Sequence, residues 1–317
     1  MGRSLITSTR DIPDCVARCV ADIDEAKAQA VAEEMGCDYV TDNAALLARD
    51  DIDAVIIAAP NFLHRPIAEQ AAAAGKHIFC EKPMALSKAD AVEMVQAAAD
   101  NGVKLMVGQV LRYLPPWHYV KSLVDRGELG RPFAMQTTRI GGGWGGHYHA
   151  AWRLKRETCG GPLFEINAHE IDFMRQVMGE ARRVTAGLGQ YVETEIDYED
   201  LAMLLIEFEG GGYGQLLAGH CAQIGTYEVK LYCTNGTVLC HHGAPLRYRK
   251  VGEDEVVPTA AELEAEPGVR REVREFVECL LNDTAPTIPG EEGVRNVEIA
   301  EAALISSAEH RPVDLPL

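Results

Sequence analysis

Two stretches concentrate side chains that can move protons. The first is HIFCEKPMALS, residues 77–87, where the apolar run Ile78, Phe79, Cys80 delivers Glu81 and Lys82 side by side and Pro83 follows at once. Such a run reads as a buried strand that proline ends, so two opposite charges are fixed at its mouth. A neighbouring positive charge or desolvation would lower the lysine pKa and let Lys82 polarise or deprotonate a hydroxyl, while an exposed strand-end ion pair is the plainer reading. The second stretch is CGGPLFEINAHEIDFMRQVMG, residues 159–179. Its part HEIDFMRQVMG reads as helical, and on a helix Glu165 and His169 lie four apart on a shared face with Asp172 three further on, so a carboxylate can orient a histidine for acid/base work. A plain helix face with one satisfied histidine fits as well. A metal centre lacks a third convincing ligand and the HExxH pattern, so none is expected.

Two shorter stretches could bind rather than react. Asp22 closes the run CVARCVA, and an acid at the end of the second strand of a dinucleotide fold accepts hydrogen bonds from ribose hydroxyls and disfavours a 2′-phosphate. Equally, Asp22 or Asp24 could cap the helix EAKAQAVAEEMG. The run AAPNFLH, residues 58–64, closes the strand IDAVII, with Pro60 ending the strand and Asn61 offering both donor and acceptor; a structural turn that caps the next helix is the alternative.

The elements that must position these residues fall into two grammars. From Cys15 to about Gly108 short apolar runs alternate with helical stretches, which implies a parallel sheet with crossover helices. From Arg131 onward come long alternating strands such as RPFAMQTTRI, DLAMLLIEFEG and YEVKLYCT, joined by Gly-rich and Asn-Gly turns. The expectation is an α/β protein: a parallel-sheet domain over residues 1–112, then an α+β domain with an open, mainly antiparallel sheet over 113–317. A net charge of −18 across 317 residues works against nucleic acid or anionic membranes as partners and favours a small molecule. The absence of a long apolar run or secretory signal, and nine cysteines without CxxC pairs, point to a reduced, cytoplasmic protein.

Taken in order, PNFLH, CEKPMALS and the G-G-x-L-x-E-x-N-x-H-x-x-D pattern resemble the Gfo/Idh/MocA family of glucose-fructose oxidoreductase and inositol dehydrogenase. The resemblance continues through VGQVLRYLPPW, VDRGELGRP, the WR of AAWRLKRE and the ending AEAALISSAEHRPVDLPL. It implies a Rossmann domain that binds NAD(P), with NAD favoured by Asp22 and NADP possible, and a second domain that binds a sugar-like alcohol. Lys82 matches the lysine of the family's EKP motif and His169 the histidine of its D-x-x-x-H motif, the usual acid/base. Glu165 stands where many members have Asp, and Asn167 where Gly is frequent, which would place an amide at the substrate. The same matching implies that Gly2, Asp22, Pro60, Asn61, His64, Glu81, Lys82, Gln109 and Arg112 line the cofactor, with Trp152 and Arg153 reaching it from the second domain. Tyr113, Trp144, His147, Asn167 and Asp172 are expected at the substrate.

The implied activity is hydride transfer between nicotinamide and a secondary alcohol of a sugar, polyol or related cyclic compound. His169 takes the hydroxyl proton and Lys82 steadies the alkoxide. A non-catalytic sugar or nucleotide sensor, and NAD-assisted glycoside cleavage or elimination, are the rivals. The family's open sheet implies a homodimer or homotetramer. It also implies an apolar strand and two glycines ahead of MGRSLITSTR, so this chain reads as a Rossmann domain without its first strand and with Gly2 as the last glycine of the G-x-G-x-x-G loop. The favoured expectation is a natural product that starts further upstream; the other is a true product that binds NAD poorly.

Overall fold

The computed structural model describes residues 1–145, 149–263 and 266–317. It divides into two compact units, Met1–Val110 with Pro267–Val294, and Leu111–Glu266 with Arg295–Leu317. This differs from a single break after residue 112, because a late helix returns to the first unit. That helix, α10 (Gly268–Leu281), buries Val273, Phe276 and Cys279 on one face. Phe276 meets Phe79 edge to face with centroids 5.7 Å apart. Beyond the helix, the Val107 N–H donates to the Ile288 carbonyl at 2.9 Å and Lys104 Nζ donates to the carbonyls of Cys279 and Thr284.

In the first unit every strand pairing is parallel, as the alternating pattern requires. β1 (Cys19–Ala21) pairs with β2 (Asp38–Val40), and β3 (Ala54–Ile57), β4 (His77–Glu81) and β5 (Leu105–Gly108) form a separate triplet with β4 in the middle. Helices α2 (Glu25–Met35), α3 (Asn43–Leu47), α4 (His64–Ala73) and α5 (Lys88–Asp100) make the connections. Local chemistry sets their ends: Asp24 caps α2 through the Lys27 N–H, Ser87 caps α5 through the Asp90 N–H, and Gly36 closes α2 at φ 69°. Helix α1 (Gly2–Thr7) is anchored by the fully buried Leu5 and packs against β3, α2 and α10.

Among the described residues the second unit carries a nine-stranded sheet whose outer strands are β11 (Gly236–His241), β12 (Arg247–Lys250), β13 (Glu255–Val256) and β14 (Val313–Asp314). Its central strands are β6 (Pro132–Ile140), β7 (Ala181–Gly189), β8 (Leu201–Phe208), β9 (Tyr213–Gly219) and β10 (Thr226–Cys233), and the strands follow the order β13-β12-β11-β10-β6-β9-β8-β7-β14. Among the described residues of this sheet only β6 and β9 run parallel. Burial alternates along β8: Ala202, Leu204, Ile206 and Phe208 are buried, while Met203 and Leu205 are exposed. The covered face receives α9 (Ala168–Met178), which comes so close that a Cβ on Gly214 would lie 2.3 Å from Met174 Cε. Part of α11 (Gly290–Glu309) is tied to β7, where Ser306 and Ser307 hydroxyls accept from the Ala186 and Leu188 N–H groups.

Candidate active site

In the first unit the expected site residues gather at the carboxyl ends of parallel strands. Asp22 follows β1, Pro60 and Asn61 follow β3, Glu81 ends β4 with Lys82 next, and Gln109 follows β5. Asp24 takes the capping role on α2, while the Asp22 carboxylate accepts from the Asp24 N–H at 2.9 Å. The two readings of Asp22 thus separate, since the cap belongs to its neighbour. His64 is buried, with Nδ1 2.8 Å from the Pro83 carbonyl and Nε2 2.9 Å from the Ala59 carbonyl. It fastens the turn after β3 to the turn after β4 and so fixes where Lys82 begins. The buried Glu81 carboxylate accepts from the Lys82 N–H at 3.1 Å, and Gly108 lets the Phe79 ring lie close behind it, 3.2 Å from where a Cβ would stand. Gly2 opens α1 beside Ala58, its Cβ position 3.4 Å from the Ala58 Cβ.

This set fits a dinucleotide. The ligand-binding edge of an open parallel sheet is its carboxyl edge, an acid after β1 suits ribose hydroxyls, and a glycine opening α1 allows the helix close to the strand end.

In the second unit Glu165 and His169, read as sharing a helix face, are separated by a break in the chain's helical course. Helix α7 (Arg156–Cys159) ends in Gly160 and Gly161, at φ 83° and 89°, then α8 (Pro162–Glu165) stops and α9 begins at Ala168 with Asn167 as its N-cap. The Asn167 N–H still bonds the Pro162 carbonyl, while the Glu170 and Ile171 N–H groups turn to the Asn167 carbonyl. Glu165 and His169 therefore stand on different helices, and the four-residue spacing along one helix does not hold. His169 and Asp172 do share α9.

Glu165 is buried and accepts from Arg153 Nε at 2.8 Å. The Arg153 guanidinium lies over the Trp152 ring at 4.3 Å and the Trp144 ring at 5.5 Å, so these three expected residues form one cluster with Glu165. Asp172 is fully buried and takes two hydrogen bonds from Arg112 and one from Asn296. Arg112 and Asp172, expected at cofactor and substrate respectively, are thus brought to each other. Tyr113 is buried, and His147 lies outside the described residues. Asn167 is fully buried, its amide donating to the Arg139 carbonyl at 3.2 Å and to Glu170 at 3.1 Å.

Several residues beside these were missed by motif reading. Arg139 reaches Glu170 at 3.0 Å, Tyr227 donates to the same carboxylate at 2.7 Å, and burial together with Glu170 pushes the Tyr227 hydroxyl pKa up. Asp200 accepts from the Tyr191, Val192 and Glu193 N–H groups, which outweigh its burial and hold the carboxyl below its usual pKa. His220 is also buried. Each becomes recognisable only where strand ends meet in space. Among the described residues no group of three or more His, Cys, Asp or Glu is arranged to hold a metal.

Residues 1–109 match the model of the oxidoreductase family, NAD-binding Rossmann fold, and residues 121–315 match that family's C-terminal alpha/beta domain. The chain is 33% identical over 239 residues to a 2,7-anhydro-N-acetylneuraminate hydratase of Mediterraneibacter gnavus, a match covering 73% of this chain and 63% of that relative. It is 27% identical to a scyllo-inositol 2-dehydrogenase (NAD(+)) of Bacillus subtilis, covering 99% of this chain and 92% of the relative. In three dimensions it superposes on a levoglucosan dehydrogenase solved with NADH and levoglucosan at a TM-score of 0.89 and 23% identity, over 99% of this chain and 95% of that one.

Proposed function

The chain belongs to the Gfo/Idh/MocA oxidoreductase family, and from that membership we propose that it is an NAD(P)-dependent oxidoreductase acting on a secondary alcohol of a sugar, polyol or related cyclic compound. One observation carries the reading: Asp22, Asn61, the Glu81–Lys82 pair and Gln109 all stand at carboxyl ends of parallel strands. NAD, when bound, supplies the hydride acceptor. Asp22 accepts from its ribose hydroxyls, which favours NAD over NADP. As the carbinol C–H leaves as hydride, His169 takes the hydroxyl proton and Lys82 holds the charge that develops on the oxygen. The test is NADH formation with a panel of polyols and sugars. Turnover with NAD and any polyol supports the reading, and inertness toward the whole panel with both nucleotides overturns it.

A second reading keeps the same residues. The Mediterraneibacter relative is named a hydratase, so elimination assisted by retained NAD is supported by kinship at 33% identity. It is distinguished by substrate loss without net NADH.

The outward face of the nine-stranded sheet seats a second copy of the chain. Support comes from Met203, Leu205 and Tyr213, which are 48%, 45% and 54% exposed there. Sedimentation of wild type against Leu205→Glu checks it: a dimer or tetramer that the charge dissociates supports it, and a wild-type monomer overturns it. No helix among the described residues is long and apolar enough to cross a membrane. All nine cysteines are free thiols, which suits a reducing cytoplasm.

A further inference from the structure

The covered face of the sheet ends in a buried histidine that the proposed chemistry does not use. His220 follows β9 directly, is 1% exposed, and neither of its ring nitrogens meets a hydrogen-bond partner among the described residues. Burial of a polar group without a partner is costly, so such a group calls for a ligand. Its surroundings are aromatic and already organised. The ring lies 5.2 Å from the Trp144 ring and 6.0 Å from the Tyr198 ring. Trp144 Nε1 donates to the Tyr198 hydroxyl at 2.6 Å, and that hydroxyl donates to the Arg153 carbonyl at 2.5 Å. Arg153 in turn holds Glu165. A continuous row of contacts therefore runs from His220 to the carboxylate that stands in the family's D-x-x-x-H position.

The backbone enforces this placement. Gly219 sits at φ 143°, where a Cβ would lie 2.2 Å from the Asp200 carbonyl, and the His220 N–H donates to that same carbonyl at 3.0 Å. Gly141 bonds back to Gly219, which brings the loop carrying Trp144 alongside. Burial holds the imidazole pKa below its usual value against the opposing pull of Asp200. A neutral imidazole offers one N–H donor and one acceptor, which suits a hydroxyl; an aromatic wall beside it suits the C–H face of a sugar ring.

Resting on the proposed polyol or sugar activity, we infer that His220 is a specificity-determining residue, binding one non-reacting hydroxyl of a polyhydroxylated ring that packs against Trp144. The experiment measures kcat and KM for wild type, His220→Ala and His220→Gln over epimeric polyols and sugars, together with ligand-induced thermal shifts. The expected result is about a tenfold rise in KM for the preferred epimer, the size of one lost hydrogen bond, with kcat little changed. The expected result also includes a flattened epimer preference and partial rescue by Gln, which retains a donor and an acceptor. Should His220→Ala fold poorly, His220→Gln carries the decision through its altered epimer order. Unchanged KM values and epimer order in the folded variants overturn this inference and leave the proposed function intact. A wild type that neither binds nor turns over any polyol overturns both.

Discussion

Arg112 grips Asp172 with two parallel hydrogen bonds, Nε to Oδ2 at 2.7 Å and Nη2 to Oδ1 at 2.5 Å. The same carboxylate accepts from Asn296 Nδ2 at 2.8 Å, and Asn296 Oδ1 accepts from Arg175 at 2.8 Å. The network thus joins the start of the second unit, α9 and α11. Breaking a buried pair by removing one partner leaves the other charge uncompensated, at a cost of about 3–5 kcal/mol. Asp172→Ala should therefore lose about that much stability in urea unfolding. A loss well under about 1 kcal/mol would show that the pair is not effectively buried.

Gly219 is required by its conformation and by the backbone beside it. Gly219→Ala meets the Asp200 carbonyl 2.2 Å from the new Cβ, an atom that cannot rotate away. Strain at such a backbone position is worth about 1–3 kcal/mol. The melting temperature should fall, and the change in Trp144 surroundings should appear in intrinsic fluorescence. A variant as stable as wild type would contradict the close approach of β9 to Asp200.

The buried His220 imidazole has a folded-state pKa depressed below its unfolded value of about 6.5. As the pH falls the unfolded chain takes up the proton first. The contribution of this group to stability is therefore fully present above about pH 6.5 and is lost as the pH falls through the window below it. His220→Gln has no proton to take up, so its stability should drop less than that of wild type between about pH 7.5 and pH 5.5. Parallel stability curves for the two proteins would exclude a neutral, buried His220.

The legible parts of this molecule were those governed by near neighbours in the chain. Ile78, Phe79 and Cys80 before Glu81, Lys82 and Pro83 announce a buried strand and what it delivers, and β4 is built so. Two acids two residues apart left Asp22 ambiguous, and only the Lys27 N–H on Asp24 resolves it. Periodicity could not show the break at Asn167, because Glu165, His169 and Asp172 keep helical spacing across it. The return of α10 to Phe79 and the meeting of His220 with Trp144 depend on contacts between distant segments, which no local pattern encodes. The arginine partner of Asp172 was hidden for the same reason, since Arg112 lies 60 residues away.

Lys82 and His169 are proposed as the charge-holding and proton-taking groups of an NAD-linked alcohol oxidation. The most direct measurement is steady-state NADH formation by Lys82→Met and His169→Gln beside wild type, with a circular dichroism melt for each. A general acid/base group contributes about 10²–10⁴-fold and a charge-stabilising donor about 10²–10³-fold, so both variants should lose turnover on those scales while melting close to wild type. Wild-type turnover in either folded variant would contradict the central claim.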